Sequence, residues 1–449
     1  MQSALRLSKF VSGAAVVCCA LWVRPSASDQ FGAEARGLRN LTEHAYGVPR
    51  LDPAVLEKIW TVWEPEWKSR VRPEDPEATR ALVWERYGFC ALPGGRSRVP
   101  MQFAATDKGW VPTCMQCHGG RLPGSGESMI GLPNSELDAA TFAEDLARVF
   151  GFAADQSRLG RTRGRTNAMV FAIELFRQRN EDLSKRATPL DMGPYKSADL
   201  DAVPWWHLKK KRRLYTDGGI TGDFVRPIMQ FTLAGPAGEE IRSWEAEFVE
   251  ILAYLRSIQP PRYPWPVDQR VAAEGRKVFE RTCAPCHGTY GPGSEYPNRV
   301  VPIAQIGTDP LRLTAVTREF RNYYNRTWFG EKAHSEEEPA GYIAPPLDGI
   351  WASAPYFHNG SVPTVYGVLA PEARPRIFRR VGAPKAYDTR DLGFEVEVLD
   401  APPARELPAE ARRRVIDTAQ PGLGNQGHPF ARLLSEAEKR QVVEYLKTL

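Results

Sequence analysis

The chain has 449 residues, 42% of them hydrophobic and 25% charged, with 59 Lys and Arg set against 54 Asp and Glu for a formal charge of +5. That length is enough for about two or three domains, and the apolar content excludes a disordered chain. The near balance of charge argues against general nucleic-acid binding.

Residues 1–28 read as a secretory signal, with Arg6 and Lys9 ahead of the apolar run Phe10–Val23 and small residues Ser26-Ala27-Ser28 after it. The apolar run is too short to span a bilayer comfortably, and no later stretch approaches that length. A retained N-terminal anchor is the alternative. Removing Arg6, Lys9 and Arg24 lowers the formal charge from +5 to +2. The mature chain is therefore expected to be periplasmic or secreted, without a membrane span. It keeps five cysteines: Cys114, Cys117, Cys283, Cys286 and a lone Cys90, which reads as a small core residue.

In the first half, residues 29–262, apolar residues at helical spacing predict helices over Leu51–Trp63, Pro76–Phe89, Ala139–Phe150, Met169–Arg177 and Ser243–Ile258. Pro260-Pro261 stops the last of these. Tyr263-Pro264-Trp265-Pro266 then reads as a stiff linker into a second half, 263–449. That half begins with a helix over Asp268–Arg281 and ends with one opened by the capping box Ser435 and Glu438. Between them, 302–366 is rich in proline and aromatics, and 370–427 is mostly irregular. The expected fold class is mainly α, with two cytochrome-c-like haem domains carrying long irregular loops.

Each half contains one C-x-x-C-H motif: Cys114-Met-Gln-Cys117-His118 and Cys283-Ala-Pro-Cys286-His287. This is the attachment signature of c-type haem. Two thiols on one helical turn can both add to the vinyl groups at one porphyrin edge, and the histidine that follows swings beneath the ring to bind iron. Zinc ribbons place their C-x-x-C pairs about 15–20 residues apart, whereas these motifs stand in opposite halves and both carry the trailing histidine. Two covalently attached c-type haems are expected, with His118 and His287 as proximal ligands. Haem attachment outside the cytoplasmic membrane agrees with the export signal.

The second axial position decides function. The last methionine is Met229, so the second half offers only His334, His358 and His428. For the first haem the candidates are His44, His207, Met101, Met169 and Met229, or an open position able to take O₂ or peroxide, with an aromatic such as Phe224 walling the pocket. Trp205 and Trp206 suit either an aromatic bridge between haems or ordinary core packing. The run Lys209–Arg213 suits haem propionates, an acidic redox partner or plain solvation. Gly422–His428 is a glycine-rich loop that delivers a histidine just before the last helix, and glycines let such a backbone approach a flat ring closely.

On Arg86-Tyr-Gly-Phe89, Trp205-Trp206-His-Leu-Lys-Lys-Lys211, Ala344-Pro345-Pro346-Leu347 through Thr364, and Gly424–His428, the chain resembles secreted dihaem c-type cytochromes. That group includes bacterial dihaem peroxidases and, more closely, dihaem rubber oxygenases. The resemblance implies an oxidoreductase in which His428 is the distal ligand of a bis-His relay haem. It also implies a first haem that faces O₂ or peroxide beside an aromatic residue, for which Phe224 is the candidate. Dihaem peroxidases carry a methionine on the haem of their second domain; this chain has none there, which favours the oxygenase side. The expected partners are a small-molecule oxidant, a redox protein, or both. The rival reading is a non-catalytic electron carrier with both irons six-coordinate.

Overall fold

The structure, a computed structural model, describes residues 27–95, 97–152 and 160–449. The signal reading therefore lies almost wholly outside the described residues. Helix makes up 40% and strand 11%, and the strands are short ladders of two or three members. Among the described residues no helix is long and apolar enough to cross a membrane.

The helices expected from periodicity are present over Pro76–Tyr87, Ala139–Phe150, Ala168–Arg177, Glu245–Ser257, Gln269–Thr282 and Glu436–Leu446. The stretch expected as one helix from Leu51 is a short helix, Pro53–Lys58, followed by a 3₁₀ turn, Ile59–Val62. Asp268 caps the helix after the linker through the amides of Arg270 and Val271, and Ser435 and Glu438 close their capping box.

One helix escaped sequence reading: Ala27–Glu43, which lies along Glu245–Ser257. The second half repeats this arrangement with Gln269–Thr282 against Glu436–Leu446. Both crossings are tight for the same reason. A Cβ on Gly37 would overlap the Glu250 carbonyl, and one on Gly275 would overlap the Gln441 carbonyl. The two halves thus share a helix pair held together at a glycine, although outside the haem motifs their sequences show no repeat.

The main hydrophobic core cluster runs from Leu41 to Leu446 and includes Phe248, Leu252, Phe279, Val442 and Val443. The halves also meet through paired strands Ile220–Gly222 and Ala333–Ser335. The expected linker is packed rather than free, with Trp265 stacked on Tyr387 at 4.9 Å. A second core cluster gathers Trp63, Trp67, Tyr87, Phe89 and Phe103. Beside it the fully buried Arg86 donates to Asp145 at 2.9 Å and Glu64 at 2.7 Å, and Gly88 ends its helix in the left-handed conformation. The Arg86–Phe89 motif is therefore a packing element.

Buried charge also joins the halves. Asp217 accepts from Arg321 at 2.9 Å and lies 3.1 Å from Arg312, with all three side chains buried. The two guanidinia hold its carboxyl below the usual range against the opposing effect of burial. Asp217→Asn removes the buried carboxylate that both cations share, and we expect a loss of about 3 kcal/mol of stability, readable as a lower denaturant midpoint.

Candidate haem sites

The second motif follows directly from its helix. Cys283 continues the hydrogen-bond ladder to the Phe279 carbonyl at 2.7 Å, and Ala284–His287 forms one further turn. His287 Nδ1 lies 2.8 Å from the Pro345 carbonyl. A carbonyl only accepts, so Nδ1 carries the proton and Nε2 is left with its lone pair.

The glycine-rich loop brings His428 to the same place: its ring centre stands 6.3 Å from that of His287. The backbone of His428 is left-handed, with φ 56° and ψ 59°, a conformation seldom adopted outside glycine. The surroundings impose it. Asp309 accepts from the amides of Gly422 and Gly424 at 3.1 Å, and Asn359 donates to the carbonyls of both residues at 3.0 Å. Arg374 donates to the carbonyls of Asn425 and Gly427, and the His428 amide to that of Ile306. Burial lowers the pKa of both imidazoles, that of His428 to about 3 with His287 adding to the effect. Both rings are neutral near pH 7, as ligation requires.

The first motif is built differently. Met115–His118 is an isolated turn behind a short hairpin. His118 Nδ1 lies 3.0 Å from the Val203 carbonyl, so again Nε2 is free. Trp205 stacks on the His118 ring at 4.8 Å, and burial lowers the histidine's pKa to about 4. Cys90 is buried behind the motif with its thiol on the Gly119 carbonyl.

None of the remaining histidines faces His118 in a ring contact among the described residues. His44 pairs with Glu247 at 2.6 Å and stacks on Tyr46. His207 commits Nε2 to the Asp348 carbonyl. His334 lies on the strand at the joint between halves, and His358 packs on Tyr342. Met101 backs the Gly119 main chain, Met229 is in the main core, and Met169 is in a small separate cluster. Phe224 is buried at the start of Val225–Met229, with the Arg256 guanidinium 5.7 Å from its ring. Its ring does not meet His118.

Trp205 and Trp206 lie between the motifs. Trp206 donates Nε1–H to the Asp348 carbonyl at 2.7 Å, and Asp348 lies three residues beyond Pro345, the partner of His287. The basic run divides: Lys209 reaches Gln259, Lys210 pairs with Asp348 at 2.7 Å, and Lys211 is buried with its pKa lowered to about 8. The carbonyls of Val203 and Pro345, and the clamps Asp309 and Arg374, leave no mark in the sequence. Main-chain acceptors have no residue identity, and lone acids and arginines are common.

Residues 341–379 match the family described as RoxA-like, cytochrome c-like. The chain carries a RoxA-like cytochrome segment. It contains Pro345, Asp348 and Asn359, and covers the Ala344–Thr364 stretch of the resemblance. The chain is 29% identical over 296 residues to the uncharacterized protein y4iM of Sinorhizobium fredii, covering 56% of this chain and 64% of that protein. It is 28% identical over 260 residues to the uncharacterized protein y4iJ of the same organism, covering 43% and 41%. The chain thus spans less than two thirds of either relative. The family match supports a haem-binding, iron-containing cytochrome c-like protein.

The residues fit such a group. Two metal–imidazole bonds of about 2 Å, each with a ring centre about 1 Å further on, sum to about 6 Å, and His287 and His428 stand 6.3 Å apart. Burial raises the thiols of Cys114, Cys117 and Cys283 to about 11, 12 and 12. Among the described residues no group of three metal-ligating side chains gathers, so neither cysteine pair is completed into a zinc-type set.

Proposed function

We propose an exported, periplasmic or secreted dihaem c-type cytochrome that acts as an oxidoreductase, its two sites unequal. One observation carries the reading: His287 faces a second imidazole at 6.3 Å, whereas His118 faces no histidine ring among the described residues. Bound haem would supply O₂ or peroxide binding at an open position and electron storage at a closed one. The protein's part is ligation and positioning. His118, oriented by Val203, would be the one histidine ligand at the reactive site; His287 and His428, oriented by Pro345 and the loop clamps, would hold the relay haem from both sides. Trp205 on His118 and Trp206 on the Asp348 carbonyl give a short aromatic and hydrogen-bonded route between them. Phe224 serves as the aromatic wall of the reactive pocket in this reading. The resemblance to rubber oxygenases makes a polyisoprene the first substrate to try, with peroxide as the rival.

Carbon monoxide tests the reading. The reduced protein should take up one equivalent per chain, at the first site. No uptake would make the protein an electron carrier with both irons six-coordinate, and two equivalents would remove His428 from ligation. Turnover of polyisoprene compared with hydrogen peroxide then separates the two substrate classes.

A further inference from the structure

Where the halves meet, behind the first motif, a cavity of about 230 Å³ is lined by Arg121, Arg163, Arg380 and Arg414 together with Glu85, Glu136 and Cys90. Arg121 and Arg163 come from the first half, Arg380 and Arg414 from the second. Four guanidinia therefore surround the space, with two carboxylates that are already engaged. Glu85 is drawn to Arg70 at 2.7 Å, and Glu136 is shared between Arg380 and Arg163, the latter at 3.6 Å. Arg414 pairs with Glu410 at 2.5 Å.

Arg121 has no carboxylate partner among the described residues. Its Nη2 donates to the Phe89 carbonyl at 2.8 Å, and its guanidinium also lies close to the Cys90 thiol. The Nε of Arg163 and of Arg380 are also buried without a hydrogen-bond partner. Burial lowers the pKa of Arg380, with Glu136 opposing the shift and Arg163 adding to it. Incompletely satisfied buried cations are costly, and guanidinium forks match the geometry of carboxylate and phosphate oxygens. A water occupies roughly 30 Å³ of liquid, so the space accommodates an ion of phosphate or citrate size along with some water.

We propose that this cavity binds a small oxyanion, phosphate or a short carboxylate, which bridges Arg121 to Arg380 and ties the two halves together. The proposal is independent of the redox reading, since neither motif histidine lines the space.

Isothermal titration of the full haem-loaded chain with inorganic phosphate, and separately with citrate, at matched ionic strength tests it. The expected result is saturable binding of one anion per chain, with the tighter of the two identifying the source. Arg121→Gln removes a charge that makes no ion pair, and so leaves the fold intact; Arg380→Lys keeps the charge but loses the fork. Each should weaken binding about tenfold or more, the loss of one charge-assisted hydrogen bond, while the haem absorbance stays unchanged. Absence of saturable binding by either anion would overturn the proposal, as would affinity unaltered in Arg121→Gln.

Discussion

On the proposed reading, replacing His428 with glycine should convert the haem held at His287 from low-spin to high-spin while leaving the protein folded. Glycine is the informative choice because the residue sits at φ 56°, where alanine is strained and glycine is not. The loop does not depend on the imidazole for its place: Asp309, Asn359 and Arg374 hold its main chain. The substitution therefore removes a ligand and little else, and His287 stays on Pro345. Axial ligation spans roughly 0.8 V of haem potential, so a shift on the order of 0.1 V should accompany the spectral change. Added imidazole should restore the low-spin spectrum. An unchanged spectrum would send the assignment back to His358 or His334, which pack on Tyr342 and on a strand respectively.

The same residue gives the pH dependence a sign. Its folded pKa is depressed to about 3 from an ordinary value near 6.5. The neutral imidazole thus contributes stability that is fully present above 6.5 and is lost as pH falls through about 3. The haem-free chain should therefore lose stability as pH falls from about 6.5 toward 3, readable as a falling denaturant midpoint. The glycine variant, lacking the group, should lose less stability over the same range.

How far the sequence reaches differs between the two sites. The C-x-x-C-H motifs specify their own chemistry, because covalent attachment and proximal ligation depend on residue types at fixed spacing. His428 was open among three histidines on residue counting alone and was singled out by the family resemblance; the geometry brings it to His287 through a loop whose clamps lie more than 50 residues away in sequence. The helices with clear caps or breaks were legible, among them Asp268 with its helix and the capping box at Ser435. Ala27–Glu43 was not, since it abuts the stretch that reads as a signal and contains Gly32 and Gly37, poor helix formers. Phe224, offered as the aromatic wall of the first site, is buried and packs with Arg256 from Glu245–Ser257, a placement that no motif in the sequence specifies.

The two helix crossings carry the largest expected effect on stability. Glycine inside a helix costs roughly 1 kcal/mol relative to alanine, so at a loosely packed position Gly275→Ala or Gly37→Ala would raise the melting temperature. At these crossings the sign should reverse. The atoms that an added Cβ would strike are the main-chain carbonyls of Gln441 and Glu250, and a backbone carbonyl inside a helix cannot rotate aside as a flexible side chain can. The helices must then separate. For Gly275 this loosens a seam in which Val278, Phe279, Val442, Val443 and Leu446 are all buried. Overpacking alone costs about 1–3 kcal/mol, and each large apolar side chain returned to water adds about 1.5–3 kcal/mol. Gly275→Val should therefore exceed about 4 kcal/mol, a large part of the 5–15 kcal/mol that keeps a typical protein folded. The yield of haem-loaded protein should fall with it, since Gln269–Thr282 leads directly into Cys283. Gly37→Val should do the same to the first half through Glu245–Ser257. Thermal unfolding followed by haem absorbance measures both, and a melting temperature raised by either alanine substitution would refute the close crossing at that site.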